Sequence, residues 1–166
     1  MAERMQDGRR IRILTVIDLS SRECLALVAA RSITGQRVAN ELEAITQRRQ
    51  AKPEAIRVDN GTEFCSKALD QWADARGVGL EFIRPGKPVD NGHIAAVDGR
   101  LRAALRNPEV VFSSAATQVK LDGWKDDYNT RRPHGSLANL PPAAFAQRTV
   151  ASPPQQTIRR LLTRSF

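Results

Sequence analysis

Hydrophobic and polar positions alternate in two periods along the first half of the chain. Ile11-Arg12-Ile13-Leu14-Thr15-Val16-Ile17-Asp18 is rich in β-branched residues and predicts a strand. Ser20-Ser21-Arg22 predicts a turn, and Glu23 to Ala30 a second strand, so the pair reads as an antiparallel hairpin. Val38, Leu42 and Ile45 then recur at i, i+4 and i+7, one face of a helix that Thr34 can cap and Lys52-Pro53 ends. Its other face carries Arg37, Arg48 and Arg49 and reads as solvated. Ala55 to Val58 is a short buried strand, followed by a helix capped by Ser66, with Leu69, Trp72 and Ala73 inward and Gly77 as its stop.

Val78 to Ile83 predicts another strand, and Arg84 to Asp90 a loop. Asn91 to Arg106 reads as a helix with Ile94, Val97, Leu101 and Leu105 on its buried stripe. Asn91, Ala95, Asp98 and Arg102 form a second stripe about a quarter-turn away. Ser114 to Asn129 reads as a helix with Leu121, Trp124 and Tyr128 inward, and Pro141-Pro142 opens a short one through Phe145. Strands alternating with helices predict an α/β domain over residues 1–148. Residues 149–166 read as a basic tail, with Ser152-Pro153-Pro154-Gln155-Gln156 as a linker and Ile158 to Arg164 as a short basic helix.

Composition narrows the function. The chain has 166 residues, enough for one domain with a real core. Lys plus Arg is 26 against 18 acids, a net charge of +8 that favours a polyanionic partner, nucleic acid above all. Cys24 and Cys65 have no zinc or redox spacing and read as reduced thiols of a cytoplasmic protein. No apolar run approaches a membrane span, and the charged N-terminus has no signal core.

The candidate chemistry sits where the Ala55 strand ends, at Asp59-Asn60-Gly61-Thr62-Glu63-Phe64. The carboxyl end of a strand is where open α/β sheets place ligands, which makes Asp59 the first candidate acid. The competing reading is a plain turn, since Asp, Asn and Gly favour turns for their own backbone reasons. Asp18 also ends a strand, and there a structural turn role is the expectation.

Three ordered stretches settle on a resemblance. They are Val58-Asp59-Asn60-Gly61-Thr62-Glu63-Phe64, Ile83-Arg84-Pro85-Gly86-Lys87-Pro88-Val89-Asp90-Asn91-Gly92-His93-Ile94, and Tyr128-Asn129-Thr130-Arg131-Arg132-Pro133-His134-Gly135-Ser136-Leu137. Together they resemble the catalytic core of bacterial insertion-sequence transposases, relatives of retroviral integrases that carry an Asp-Asp-Glu triad. The resemblance runs from about Asp7 to Phe145. It implies a ribonuclease-H-like mixed sheet flanked by helices, and cutting and joining of DNA with two divalent ions, Mg²⁺ or Mn²⁺. It makes Asp59 the catalytic and metal-binding acid, and Arg84, Lys87, Arg131 and Arg132 the DNA-facing cations. DNA is the implied partner, with an intact transposase or a second copy as further ones.

This sequence departs from the family pattern twice. The family's Glu falls on Ala95, in Asn91-Gly92-His93-Ile94-Ala95-Ala96-Val97-Asp98-Gly99-Arg100. Asp98 lies one turn, about 5.4 Å, further along the helix, too far to replace a ligand whose distance tolerates tenths of an ångström. The family's first Asp aligns before Met1, so the first, central strand of the sheet is expected to be missing or a stub at Met1 to Glu3. With Asp59 as the one remaining triad acid, the expectation is a degenerate core that is inactive alone and binds the family's metals poorly. The alternative is a non-catalytic remnant that binds DNA or an intact transposase.

Overall fold

The computed structural model describes residues 3–4, 10–83, 92–105, 114–150 and 158–165. Its strands are β1 (Glu3–Arg4), β2 (Arg10–Asp18), β3 (Cys24–Ala30), β4 (Pro53–Val58), β5 (Gly79–Phe82) and β6 (Ile158–Ser165). Its helices are α1 (Gly35–Arg49), α2 (Lys67–Arg76), α3 (Gly92–Leu105), α4 (Ser114–Thr130) and α5 (Pro142–Val150). The segment holding Arg84 and Lys87, expected as a loop, lies outside the described residues.

β2 is the strand both cores share. Leu14 and Val16 face one way, with Val38, Leu42 and Ile45 of α1, Ile56 and Val58 of β4, and Leu69 of α2. Ile11, Ile13 and Ile17 face the other way, with Ile94, Val97 and Leu101 of α3 and Leu121, Trp124 and Tyr128 of α4. A strand buried on both faces needs an apolar residue at nearly every position, which is why this stretch does not alternate. Each fully buried Leu, Ile or Val contributes about 1.5–3 kcal/mol to this three-layer packing.

The helix ends follow the sequence. Thr34 Oγ1 accepts the Arg37 N–H at 3.3 Å and Ser66 Oγ the Leu69 N–H at 3.3 Å, each satisfying one orphan donor of a first turn. Gly77 ends α2 at φ 60°, and Gln50 ends α1 at φ 51°. α1 therefore stops at Gln50, two residues before Lys52.

The centre of the sheet holds a strand that local pattern did not reveal. β2 pairs antiparallel with β3 on one side and with β6 on the other, and β6 pairs parallel with β4. The last residues of the chain thus fill the position between β2 and β4. β1 is a two-residue stub, pairing Glu3 with Ile11 and Arg4 with Arg10. The segment expected as a short basic helix is therefore a strand. Ile158, Leu161 and Leu162 have helical spacing, but two unpaired strand edges offer a ladder on both sides, and such edges override weak local preference.

β3 has an outer edge, and α4 covers it with side chains. Asn129 accepts the Cys24 N–H at 2.8 Å and donates to the Cys24 carbonyl at 2.9 Å. Gln118 accepts the Ala29 N–H at 2.9 Å and donates to the Leu27 carbonyl at 2.8 Å. Two amides on one helix stand in for a missing strand.

Candidate functional site at the carboxyl end of β4

Asp59 follows the last residue of β4, as expected for a strand-end acid. The turn after it is built by the motif itself. Gly61 N–H donates to Asp59 Oδ1 at 3.0 Å, and the Phe64 and Cys65 N–H groups both donate to the Gly61 carbonyl, at 2.9 and 3.2 Å. Asn60 Nδ2 donates to the Ile83 carbonyl at 3.0 Å, and Ile83 N–H to the Val58 carbonyl at 3.0 Å, so the turn is tied to the end of β5. Phe64 is fully buried and anchors the turn in the α1–α2 core. At Gly35, the start of α1, a Cβ would fall on the Ser66 side chain and 3.0 Å from the Glu63 carbonyl. The close approach of α1 thus fixes the far side of the same turn.

Glu63 lies beside Asp59 in this turn, and the sequence reading gave it no role of its own. It is 6% exposed, and its Oε2 lies 3.4 Å from Arg12 Nη1 of β2. A Cβ on Gly61 would lie 3.0 Å from both Asp59 Oδ1 and Glu63 Oε1, so the two carboxylates bracket that glycine. The signal available beforehand was the spacing Asp-x-Gly-x-Glu, an acid either side of the one residue without a side chain.

The second predicted position, Ala95, is exposed on α3, and α3 lies against β6. Asp98 is on the buried face of α3, 2% exposed, and its charge acts on the Cys24 thiol together with that of Lys125. Burial pushes that thiol up to about 12, with Lys125 lowering it and Asp98 raising it. Asp18 holds its turn, accepting the Ser20 and Ser21 N–H groups at 2.7 and 3.3 Å.

Arg131 is exposed, whereas Arg132 is engaged. Its Nε donates to Asp127 at 2.7 Å, and its guanidinium lies 5.2 Å from the centre of the Trp124 ring. Trp124 stacks on Tyr128 with centroids 5.0 Å apart, and His134 meets Tyr128 edge-on at 5.0 Å. Burial pulls the His134 imidazole below its usual range, and Arg100 and Arg22 pull it the same way.

A divalent-ion pair held about 3.5–4 Å apart needs several carboxylate oxygens. Among the described residues no three His, Cys, Asp or Glu side chains gather as a metal would require. Glu63 is paired with Arg12, one oxygen of Asp59 serves its own turn, and Ala95 has no donor. The described residues do not fit a two-metal centre.

A mixed sheet of this order, with helices on both faces and an acid at the end of β4, is the fold of integrase catalytic cores. The simian T-cell lymphotropic virus intasome, solved in complex with the PP2A regulatory subunit B56 gamma, has a chain that superposes with a TM-score of 0.73 at 15% identity, covering 93% of this chain and 55% of that one. The HTLV-2 integrase catalytic core domain, solved in complex with magnesium in a trimeric form, superposes at 0.67 with 11% identity, covering 87% of this chain and 90% of that one. The integrase core domain family matches residues 2–88, and a second integrase core domain description matches residues 76–142. The chain belongs to the integrase core domain family.

Among its relatives is the insertion element IS407 uncharacterized 31.7 kDa protein of Burkholderia multivorans, 39% identical over 142 residues, which are 86% of this chain and 51% of that protein. Another is the insertion element IS136 uncharacterized protein Atu4601 of Agrobacterium fabrum, 30% identical over 146 residues, covering 84% of this chain and 75% of that protein. This chain spans about half the length of the IS407 relative and 41% of the length of the insertion element IS476 relative from Xanthomonas euvesicatoria.

Proposed function

We propose that this chain is a transposase core that engages DNA in the cytoplasm but is catalytically degenerate and inactive alone. Its kind of function, that of a transposase or integrase core, follows from family membership. The observation that carries the degeneracy is Ala95, an exposed methyl at the helix position where the family has its Glu. In the family a metal pair would activate the attacking oxygen and stabilise the leaving one. This chain's own contribution is a fixed turn that presents Asp59, and cations that position a phosphate backbone. Arg131, Arg84 and Lys87 are the proposed DNA contacts, and Arg132 a contact only in so far as Asp127 and Trp124 release it.

A second reading, a non-catalytic protein that binds DNA or pairs with an intact transposase, is favoured by the +8 charge, which survives any loss of chemistry. A nicking and joining assay on labelled duplex, with and without Mg²⁺ or Mn²⁺, tests the proposal. The expected result is salt-sensitive binding without metal-dependent products. Metal-dependent products that vanish in Asp59→Asn would overturn it.

A further inference from the structure

The turn between β2 and β3 holds an arginine where a glycine would be less strained. Arg22 has φ 62°, in the left-handed region that favours glycine or asparagine. The turn imposes that conformation. Arg22 N–H donates to the Asp18 carbonyl at 2.8 Å, and Asp18 N–H to the Glu23 carbonyl at 2.9 Å. The neighbouring acid, Glu23, is taken by Arg49 at 2.8 Å. Arg22 is half-buried, and among the described residues no carboxylate pairs with it. Strain kept at a fixed turn points to a use for the side chain.

That side chain belongs to a group drawn from three elements. Asn129 bonds both backbone groups of Cys24, which sets the end of α4 against the strand that follows Arg22. Cys24, Leu101, Trp124 and Tyr128 share one core, and Leu101 follows Arg100 on α3. Burial has the largest effect on the Tyr128 hydroxyl and the His134 ring, and the charges of Arg100 and Arg22 act on both. Arg100 is exposed, and among the described residues no carboxylate pairs with it either. Arg132 lies over Trp124 and donates its Nε to Asp127. Three guanidiniums thus stand around one aromatic cluster with Asp127 as the acid that pairs with them. Within that cluster Trp124 Nε1 and His134 Nε2 are buried and have no hydrogen-bond partner among the described residues. Trp124 is 7% exposed, and buried polar atoms nearly always have a partner. Surplus cations beside unmet polar atoms fit an oxyanion with several oxygens, and planar guanidiniums suit phosphate.

The group also has a definite place on the sheet. β2 is antiparallel to β6, and β6 is parallel to β4. The β2–β3 turn therefore lies at the end where β4 begins, and Asp59 at the end where β4 finishes. The six residues of β4 separate those ends by roughly 20 Å.

We propose that Arg22, Arg100 and Arg132 form a phosphodiester-binding site, which grips the DNA backbone at the end of the sheet away from Asp59. Trp124, Tyr128 and His134 are its base, and Arg22 and Arg100 are its open donors. This rests on the DNA-binding reading above and adds to it two residues, a location and the reason Arg22 keeps a strained backbone.

Binding and fluorescence on the full chain test it. Trp72 and Trp124 are the two tryptophans, so Trp72→Phe leaves Trp124 as a reporter inside the cluster. Duplex added in EDTA should change the Trp124 emission. Inorganic phosphate or poly-glutamate at the same ionic strength should change it less. A response to either of these and none to duplex would overturn the assignment to DNA. Duplex binding should then be followed against salt. Arg22→Gly and Arg100→Gln should each weaken binding severalfold and lower the log–log salt slope by about 0.9, the loss of one phosphate contact. Glycine suits φ 62°, so Arg22→Gly should melt no lower than the parent, which separates lost binding from lost fold. Arg37→Gln, on the exposed face of α1, should leave the slope unchanged, and an effect equal to that of Arg22→Gly would reduce the site to general basicity. A parent that binds no DNA defeats both readings. A parent that binds, with the slope unchanged in Arg22→Gly and in Arg100→Gln, defeats this one alone.

Discussion

At the scale of single residues, the third family stretch works first as a clamp. Tyr128 fills the α3–α4 core, Asn129 closes the edge of β3 at Cys24, and Arg132 spans Trp124 and Asp127. Replacing Arg132 by Ala removes a partly exposed ion pair and a cation–π contact, together about 1 kcal/mol. A thermal melt should show a midpoint lower by about 2–4 °C, the shift such a loss produces in a chain of this size. An unchanged midpoint would mean that the pair is only a surface contact. The buried thiol and phenol make a second prediction. Their ordinary values are 9.0 and 10.0, and burial raises both Cys24 and Tyr128 to about 12. Between those limits the native state keeps protons that the unfolded chain has lost. Their stabilising contribution is complete below about pH 9 and is lost as pH rises towards 12. Urea midpoints should therefore fall steadily above pH 9, and Cys24→Ala should flatten the first part of that fall.

At the scale of elements, the sheet manages its two exposed problems differently. The outer edge of β3 is closed by Gln118 and Asn129 from α4, and the gap between β2 and β4 is closed by a whole strand. Gln118→Ala leaves the Ala29 N–H and the Leu27 carbonyl without their partner. Each such buried group costs about 1–3 kcal/mol, less where water can reach it. The variant should show faster amide exchange at Ala29 and a greater tendency to aggregate, since an uncovered edge is a template for pairing. Equal exchange in parent and variant would show that water replaces the amide at no cost.

At the scale of the whole molecule, the question is whether a catalytic centre can be rebuilt. Ligands of a two-metal site act as a unit, so single repairs should fail. Ala95→Glu alone should remain inactive, because the strand position beside the end of β4, residue 164 of β6, is an arginine and not an acid. Arg164→Asp alone should also fail, because position 95 still lacks an oxygen. The double variant puts one carboxylate at the β6 position a residue past the Val58–Thr163 pair and another on α3, and should gain Mn²⁺- or Mg²⁺-dependent nicking of a labelled duplex. Parent, both single variants and the double should be assayed side by side. Activity in either single variant would show that the site needs fewer ligands than three.

Much of this was legible in the chain. The period of Val38, Leu42 and Ile45 predicts α1, the β-branched run of β2 predicts a strand, and Thr34, Ser66 and Gly77 mark helix ends by their own side chains or backbone. Asp-Asn-Gly after Val58 determines a turn with an acid at a strand end, because that hydrogen-bonding is local. What only the tertiary structure decided is non-local. Glu63 meets Arg12 across 51 residues, and Gln118 meets Ala29 across 89. Above all, residues 158–165 become the central strand, although their own spacing reads as helical. A strand's identity depends on the edges offered to it, and those edges belong to β2 and β4, far back in the sequence.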